Sequence, residues 1–121
     1  MKIVFINADP EIRRDFGLKY FQKHELVISD GKIPVASVMG FTFRSGYKVE
    51  RAIVSLNVGK QEALDYVQAL RQCYSNAGIT VTAKDPFSIG FDLLDVANAG
   101  ADELLEEDYV IEKLEQLVKS D

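Results

Sequence analysis

The side chains best suited to chemistry in this sequence lie at the ends of its predicted strands. Asp9, Asn57 and Thr82 each follow or close a short apolar run, and Glu106 with Glu107 close another. Carboxylates can hold a metal ion or move a proton, while amides and hydroxyls can bind anions. Because ligands of open parallel α/β sheets bind beyond the carboxyl ends of the strands, these residues mark where function is expected.

Cysteine and histidine chemistry is largely excluded. The chain has one cysteine, Cys73, and one histidine, His24, which rules out an internal disulfide framework, a Cys-rich zinc site and a multi-His metal site. Cys73 is predicted to be half-buried on a helix. No Gly-rich phosphate loop and no paired acid–base arrangement is visible. We therefore expect neither a resident metal nor a cofactor.

Length and charge favour one globular domain over residues 1–121. The chain has 121 residues, of which 47% are hydrophobic and 27% charged, as in ordinary folded domains. No apolar run approaches the roughly 18 residues of a membrane span, so a cytoplasmic protein is expected. Residues 102–121 hold eight acidic residues against two lysines, a local net charge of −6. Such an acidic end would repel nucleic acid and anionic membranes.

Strand-like and helix-like segments alternate along the chain. The predicted strands are Lys2–Ile6, Leu26–Ile28, Ala52–Leu56, Ile79–Thr82 and Glu103–Leu105. The predicted helices are Pro10–Lys23 with Asp9 as its N-cap, Gln61–Ser75, Phe87–Asn98 and Tyr109–Lys119. This alternation indicates βαβ units and a parallel sheet with helices on both faces. The segment Lys32–Glu50 stays open between a short helix from Pro34 and a hairpin turning at residues 44–46.

Both ends of the chain resemble the receiver domain of two-component response regulators. KIVFINADPEIRRDFGLKYFQKHE resembles the receiver opening, ITVTAK the fourth strand, and DLLDVANAGADELLEEDYVIEKLEQLV the fourth helix, fifth strand and last helix. The resemblance implies a CheY-like, flavodoxin-like α/β fold, doubly wound on a five-stranded parallel sheet in the order 2-1-3-4-5. It leaves an atypical segment around residues 32–50, and it implies a role in signal transduction.

The resemblance also implies which residues stand at the phosphorylation site. In receivers an Asp after the third strand accepts a phosphoryl group from a kinase, and acidic residues after the first strand hold Mg²⁺. Asn57 stands at the phosphoacceptor position, and an amide is no nucleophile for this reaction. Asn7, Ala8 and Asp9 stand at the acidic pocket, which thereby loses its main metal carboxylates. The chain is therefore expected to bind no metal there.

Of the remaining positions of that site, one keeps the family's residue type and three depart from it. Thr82 retains the Thr or Ser type that contacts phosphoryl oxygens. Glu107 falls at the position of the family's Lys and Asp108 at that of the following Pro. We expect Glu107 to be a solvated side chain, to bond with Lys84 or Lys60 across the carboxyl edge of the sheet, or to meet a basic partner. Leu104 occupies the switch position that is often aromatic.

A surface is the remaining candidate for function. Receivers commonly signal or dimerise through the fourth helix, fifth strand and fifth helix, which correspond to residues 87–119 here. The acidic residues on this expected partner face are Asp102, Glu103, Glu106, Glu107, Asp108, Glu112 and Glu115. A basic protein would be steered to them electrostatically, and a homodimer through the same face is the alternative.

The leading interpretation is a pseudo-receiver that is not an enzyme and acts through protein–protein contact, independently of phosphorylation. As one domain without an output module, it would be an adaptor, a regulatory subunit or a piece of a longer protein. A first alternative is regulation by a small ligand in the emptied acidic pocket. A second is a small α/β enzyme of unknown reaction that uses Asp9, Thr82 or Glu107. A third is an inserted hairpin within residues 32–50 that pairs with a partner.

Overall fold

The fold is described by a computed structural model that covers residues 2–6, 9–12, 14–15, 25–29, 49–84, 93–107, 109, 112 and 116. The strands are β1 (Lys2–Ile6), β2 (Glu25–Ser29), β3 (Arg51–Ser55), β4 (Gly78–Ala83) and β5 (Glu103–Glu106). The helices are a 3₁₀ turn (Leu56–Val58), α1 (Lys60–Cys73) and α2 (Leu93–Ala99). No helix among these residues is long and apolar enough to cross a membrane.

The strands form a parallel sheet in the spatial order β2-β1-β3-β4-β5. The register pairs Ile6 with Val54, Ser55 with Thr82, and Ala83 with Glu106. All the carboxyl ends therefore meet at one edge of the sheet, and the amino ends of β3, β4 and β5 meet at the opposite edge. The predicted parallel α/β fold is confirmed.

The central strands are buried on both faces, which explains why their sequences show little polar alternation. Val4, Val54 and Val81 belong to one apolar cluster with α1 and α2. The alternate residues Phe5 and Ile53 are equally buried but lie outside that cluster, on the other face of the sheet. A strand with a covered surface on each side needs apolar residues at successive positions rather than at every second one.

Helix α1 packs one stripe against the sheet. Its buried residues Ala63, Tyr66, Val67 and Leu70 recur at intervals of three and four, as required for one helical face. The spacing of Leu64, Val67, Leu70 and Tyr74 predicts the inner stripe: Val67 and Leu70 are buried, whereas Leu64 and Tyr74 are only partly buried against the core. The helix runs from Lys60 to Cys73. Cys73 was predicted to be half-buried, and this was wrong, because it lies exposed in the last turn.

Some predicted elements differ in their bounds or lie outside the described residues. The third strand ends at Ser55, and Leu56 opens the 3₁₀ turn instead of closing the strand. Residues 32–48 and residues 85–92 lie outside the described residues. Of the predicted last helix, Tyr109–Lys119, only Tyr109, Glu112 and Gln116 are described, and all three are helical, as is Glu107 just before it.

Candidate functional site

Asn57 is held at the carboxyl edge of the sheet by the 3₁₀ turn that follows β3. The backbone N–H of Asn57 donates to the hydroxyl oxygen of Ser55 at 3.1 Å, so the strand's last residue caps the turn. Gly59 ends the turn with φ +118°, and its N–H donates to the carbonyl of Leu56. A side chain at Gly59 would meet the carboxylate of Glu62, so this connection requires glycine.

The amide of Asn57 contacts the carboxylate of Glu107 across the carboxyl edge of the sheet. Asn57 Nδ2 lies 3.3 Å from Oε1 and 3.2 Å from Oε2 of Glu107, although the two residues are 50 positions apart in sequence. The contact joins the segments that follow β3 and β5, with β4 between them. A hydrogen bond to an ionised carboxylate is stronger than one between neutral groups. This contact therefore ties two loops of the sheet edge together.

Glu107 is a buried carboxylate. Only 6% of its surface is exposed, whereas Asn57 is exposed to solvent. One expectation from sequence, a solvated glutamate, is therefore wrong: Glu107 is buried at the start of a helical segment directly after β5. Lys60, named with Lys84 as a partner for Glu107, forms an ion pair of 3.3 Å with Asp95. A buried carboxylate needs hydrogen-bond donors, and Asn57 is one of them.

Thr82 lies between these two segments on β4. It is paired in register with Ser55 on one side and Leu105 on the other, and only 1% of its surface is exposed. Its hydroxyl oxygen has no hydrogen-bond partner among the described residues. Leaving such a group unsatisfied costs about 1–3 kcal/mol, so Thr82 is a costly residue to keep at this position.

Asp9 has a structural role at the same edge. Its carboxylate accepts a hydrogen bond of 3.0 Å from the backbone N–H of Glu11, which confirms the predicted N-cap. Pro10 follows as the first helical residue, where its missing N–H is no loss. Asn7 and Ala8, the other members of the predicted acidic pocket, lie outside the described residues. Within the described ranges, no group of three Asp, Glu, His or Cys side chains could hold a metal ion.

The acidic residues predicted for a partner face have unequal surroundings. Asp102 accepts hydrogen bonds from Arg71 and from the backbone N–H of Ile79, both on Oδ2, at 2.9 and 2.8 Å. Glu103 accepts a hydrogen bond of 2.8 Å from the hydroxyl of Thr80. These two carboxylates thus serve internal contacts at the amino edge of the sheet. Glu106 is partly exposed and Glu112 exposed, while Asp108 and Glu115 lie outside the described residues.

Two further features of this region come from the structure alone. Leu94 on α2 and Tyr109 after β5 are large apolar side chains with 63% and 57% of their surface exposed. Leu104, predicted at the switch position, is partly buried and packs against the core cluster. No sequence pattern separates Leu94 from its buried neighbours, because residues 85–98 read equally well as an amphipathic helix with another boundary.

The fold is similar to those of several solved response regulators. The chemotaxis protein CheY4 of Vibrio cholerae has a TM-score of 0.74 and 13% identity, over 98% of this chain and 96% of that one. A response regulator protein from Burkholderia multivorans has a TM-score of 0.68 and 20% identity, over 98% of this chain and 92% of that one.

A third similar structure belongs to a longer protein. It is a response regulator protein from Burkholderia pseudomallei with a phosphorylated aspartic acid, calcium ion and citrate, at a TM-score of 0.72 and 17% identity. The match covers 93% of this chain and 63% of that chain, so this chain spans less than two thirds of that protein. No protein-family model and no curated protein matches the sequence. At these identities the likeness establishes the fold alone, and that fold is the CheY-like, flavodoxin-like α/β fold of response-regulator receiver domains.

Proposed function

We propose that this chain is a pseudo-receiver: a non-enzymatic signalling domain that works through protein–protein contact and takes no phosphoryl group. The observation that carries the proposal is the contact between Asn57 Nδ2 and the Glu107 carboxylate. The resemblance to receivers places an Asp at the first position and a Lys at the second. Here an amide replaces the nucleophile, and an anion replaces the cation that would attract phosphoryl oxygens.

Electrostatics at Glu107 argue against phosphoryl transfer at this edge. Two like unit charges about 4 Å apart repel by about 1 kcal/mol in water and by about 4 kcal/mol at the effective dielectric of a protein surface. A phosphoryl group carries nearly two negative charges, and Glu107 is buried at 6% exposure. A transferred group beside Asn57 would therefore be opposed by the carboxylate that already bonds there.

The domain is proposed to act in signal transduction because the similar structures are receiver domains of response regulators. We further propose that residues 1–121 form one receiver-like domain and that it works in the cytoplasm, as most receivers do. We also propose the receiver strand order β2-β1-β3-β4-β5, which is supported by the position of Asn57 and Glu107 on either side of Thr82.

Binding of Mg²⁺ and beryllofluoride, a phosphoryl mimic, tests the proposal directly. We expect the amide NMR signals of Asp9, Asn57, Thr82 and Glu107 to stay unshifted during titration with Mg²⁺ and then with beryllofluoride. A receiver domain with its acidic pocket intact, titrated in parallel, serves as the positive control. Saturable shifts confined to those four residues would overturn the proposal that this edge of the sheet takes no phosphoryl group.

A second candidate function has one specific observation in its favour. The hydroxyl of Thr82 is buried and unpaired among the described residues, and a ligand at the strand ends would satisfy it. This supports a pseudo-receiver regulated by a small ligand at the same edge. The titration distinguishes the two, because a site that binds ions or their mimics shifts the Thr82 signal whereas a sealed site does not.

The partner is proposed to be a basic protein that covers the exposed apolar residues Leu94 and Tyr109. Glu106 and Glu112 lie near Tyr109 in sequence and supply negative charge, which steers a cationic partner. A second copy of this chain carries the same negative charge, so it is the less favoured occupant. The proposed contact buries the two apolar side chains and adds an electrostatic attraction that salt weakens.

Affinity capture from a lysate of the source cell tests this contact. We expect the wild-type protein to capture a basic protein at low salt and to lose it at about 0.5 M salt, where charges are screened beyond about 4 Å. Leu94→Arg should abolish this capture at low salt. Gln72→Arg is the matched control, because Gln72 is exposed on α1 and the same charge is added there. Equal capture by wild type and Leu94→Arg, or capture that high salt strengthens, would contradict the proposal.

A further inference from the structure

A polar cavity lies at the amino edge of the sheet, opposite to the edge that carries Asn57. Its volume is about 470 Å³, within the range of small-ligand sites, which is about 300–1,000 Å³. The amino ends of β3 and β4 and the carboxyl end of α1 form its walls. Its lining includes Glu50, Arg51, Arg71, Asn76, Gly78 and Asp102.

The guanidinium of Arg51 lies over Gly78 at the wall of this cavity. A Cβ built at Gly78 would meet Arg51 Nη1 and would lie 3.0 Å from its Cζ, so the absence of a side chain makes the space for Arg51. Gly78 is itself fixed by a hydrogen bond of 3.0 Å from its N–H to the carbonyl of Glu50. Arg51 is partly buried and has no hydrogen bond or ion pair with the described residues. Its five N–H donors are therefore unused.

Arg71, which also lines the cavity, has most of its N–H groups in hydrogen bonds. It donates to the carbonyls of Gly100, Ser75 and Ala77 and to Asp102 Oδ2, at 2.8–2.9 Å. Four of its five N–H groups are thus occupied, and one on Nη2 is left. Asp102 is neutralised in the same contact, because its Oδ2 accepts from both Arg71 and the N–H of Ile79. The charged residues of the lining that remain outside this ion pair are then Arg51, which is positive, and the exposed Glu50, which is negative.

We propose that this cavity binds a small oxyanion, a carboxylate or phosphate group, on Arg51 and the remaining N–H of Arg71. A guanidinium presents a planar fork that matches the two oxygens of such a group, and its hydrogen bonds to an anion are charge-assisted. Half-burial over Gly78 restricts the side chain of Arg51, so less conformational entropy is lost when the anion binds. The site lies at the other end of the strands from Asn57, and it does not depend on the proposed function.

Titration of the wild-type protein with inorganic phosphate and, separately, with acetate tests the site by amide NMR. We expect saturable shifts at Arg51, Asn76 and Gly78 with a millimolar dissociation constant, and no shift at Asn57. Chloride at matched ionic strength controls for screening. The two arms distinguish the ligand classes: tighter phosphate binding assigns a phosphate-bearing ligand, and tighter acetate binding a carboxylate. Linear shifts that match the chloride control would overturn the proposal.

Three variants make the assignment specific. Arg51→Ala should weaken binding at least about tenfold, because it removes the charge-assisted donors. Arg51→Lys keeps the charge but loses the fork, and it should fall between wild type and Arg51→Ala. Glu50→Gln should tighten binding about threefold, since it removes a nearby negative charge. Unchanged affinity in Arg51→Ala, with its amide spectrum otherwise native, would place any bound anion elsewhere and refute the site.

Discussion

Replacement of Arg71 by Ala lowers the free energy of unfolding by about 3 kcal/mol, because three carbonyls, two of them in partly buried hydrogen bonds, and a carboxylate lose their donor. Arg71 ties the end of α1 to the loops on either side of it through Gly100, Ser75, Ala77 and Asp102. Its side chain is only 26% exposed, so water replaces these bonds poorly. Urea unfolding followed by circular dichroism measures the loss.

Two controls separate this role from a general effect of charge. Arg71→Lys keeps a cation but cannot reach all four acceptors, and we expect it to lose roughly half as much stability. Arg14→Ala removes an arginine whose side chain is 69% exposed and whose ion pair with Asp15 spans 3.5 Å. This variant should stay within about 0.5 kcal/mol of wild type. A loss below about 1 kcal/mol in Arg71→Ala would contradict the proposed clamp.

Asn57→Asp destabilises the domain near neutral pH and does not restore phosphorylation. The substitution puts a second carboxylate where an amide now lies 3.2 and 3.3 Å from the oxygens of Glu107. Loss of the hydrogen bond and repulsion between the two carboxylates together cost about 2 kcal/mol. Incubation with labelled acetyl phosphate and Mg²⁺ should leave the variant unlabelled, and efficient labelling would show that the metal site has been misjudged.

The destabilisation of Asn57→Asp should grow with pH. Two adjacent carboxylates hold a shared proton more tightly in the folded protein than separate carboxyls do in the unfolded chain. The folded state then binds more protons, and the stability of the variant relative to wild type falls as pH rises above about 4. We expect the two proteins to be nearly equal in stability at about pH 4 and to differ most at about pH 7. Urea midpoints across this range measure the difference.

The double variant Asn57→Asp/Glu107→Gln is the matched control for that result. It exchanges the amide and the carboxylate between the two positions and keeps one hydrogen bond between them. Stability and its pH dependence should return towards wild type, although the new carboxylate lies at the exposed position. If the double variant is as unstable as Asn57→Asp at neutral pH, the Asn57–Glu107 contact is not the cause.

The general architecture could be predicted from the sequence because it depends on short-range patterns. The apolar run at residues 2–6 predicted a strand with two covered faces, and its described side chains are buried. The spacing of Val67 and Leu70 predicted the inner stripe of α1, and Asp9 before Pro10 predicted a helix start. Each of these signals acts within one or two turns or along one strand, where local sterics and burial decide the outcome.

Contacts between distant segments could not be predicted in the same way. Nothing near Glu107 in sequence indicates that it is buried, since acidic residues surround it and charged side chains are usually exposed. Arg71 had a weak signal, a cation in the last turn of a helix, but its four acceptors lie up to 31 residues away.

By itself, the sequence determined the parallel α/β fold, the strand ends to within one residue and the residue types near those ends. Only the tertiary structure decided which of those residues touch. Strand register and the path of the 3₁₀ turn bring Asn57 to Glu107 over 50 residues, and the same packing holds Arg71 on Asp102 and Arg51 over Gly78. The physical reason is that burial follows a periodic pattern within each strand or helix. Which side chain meets a distant polar group depends instead on how all the intervening strands, helices and loops pack.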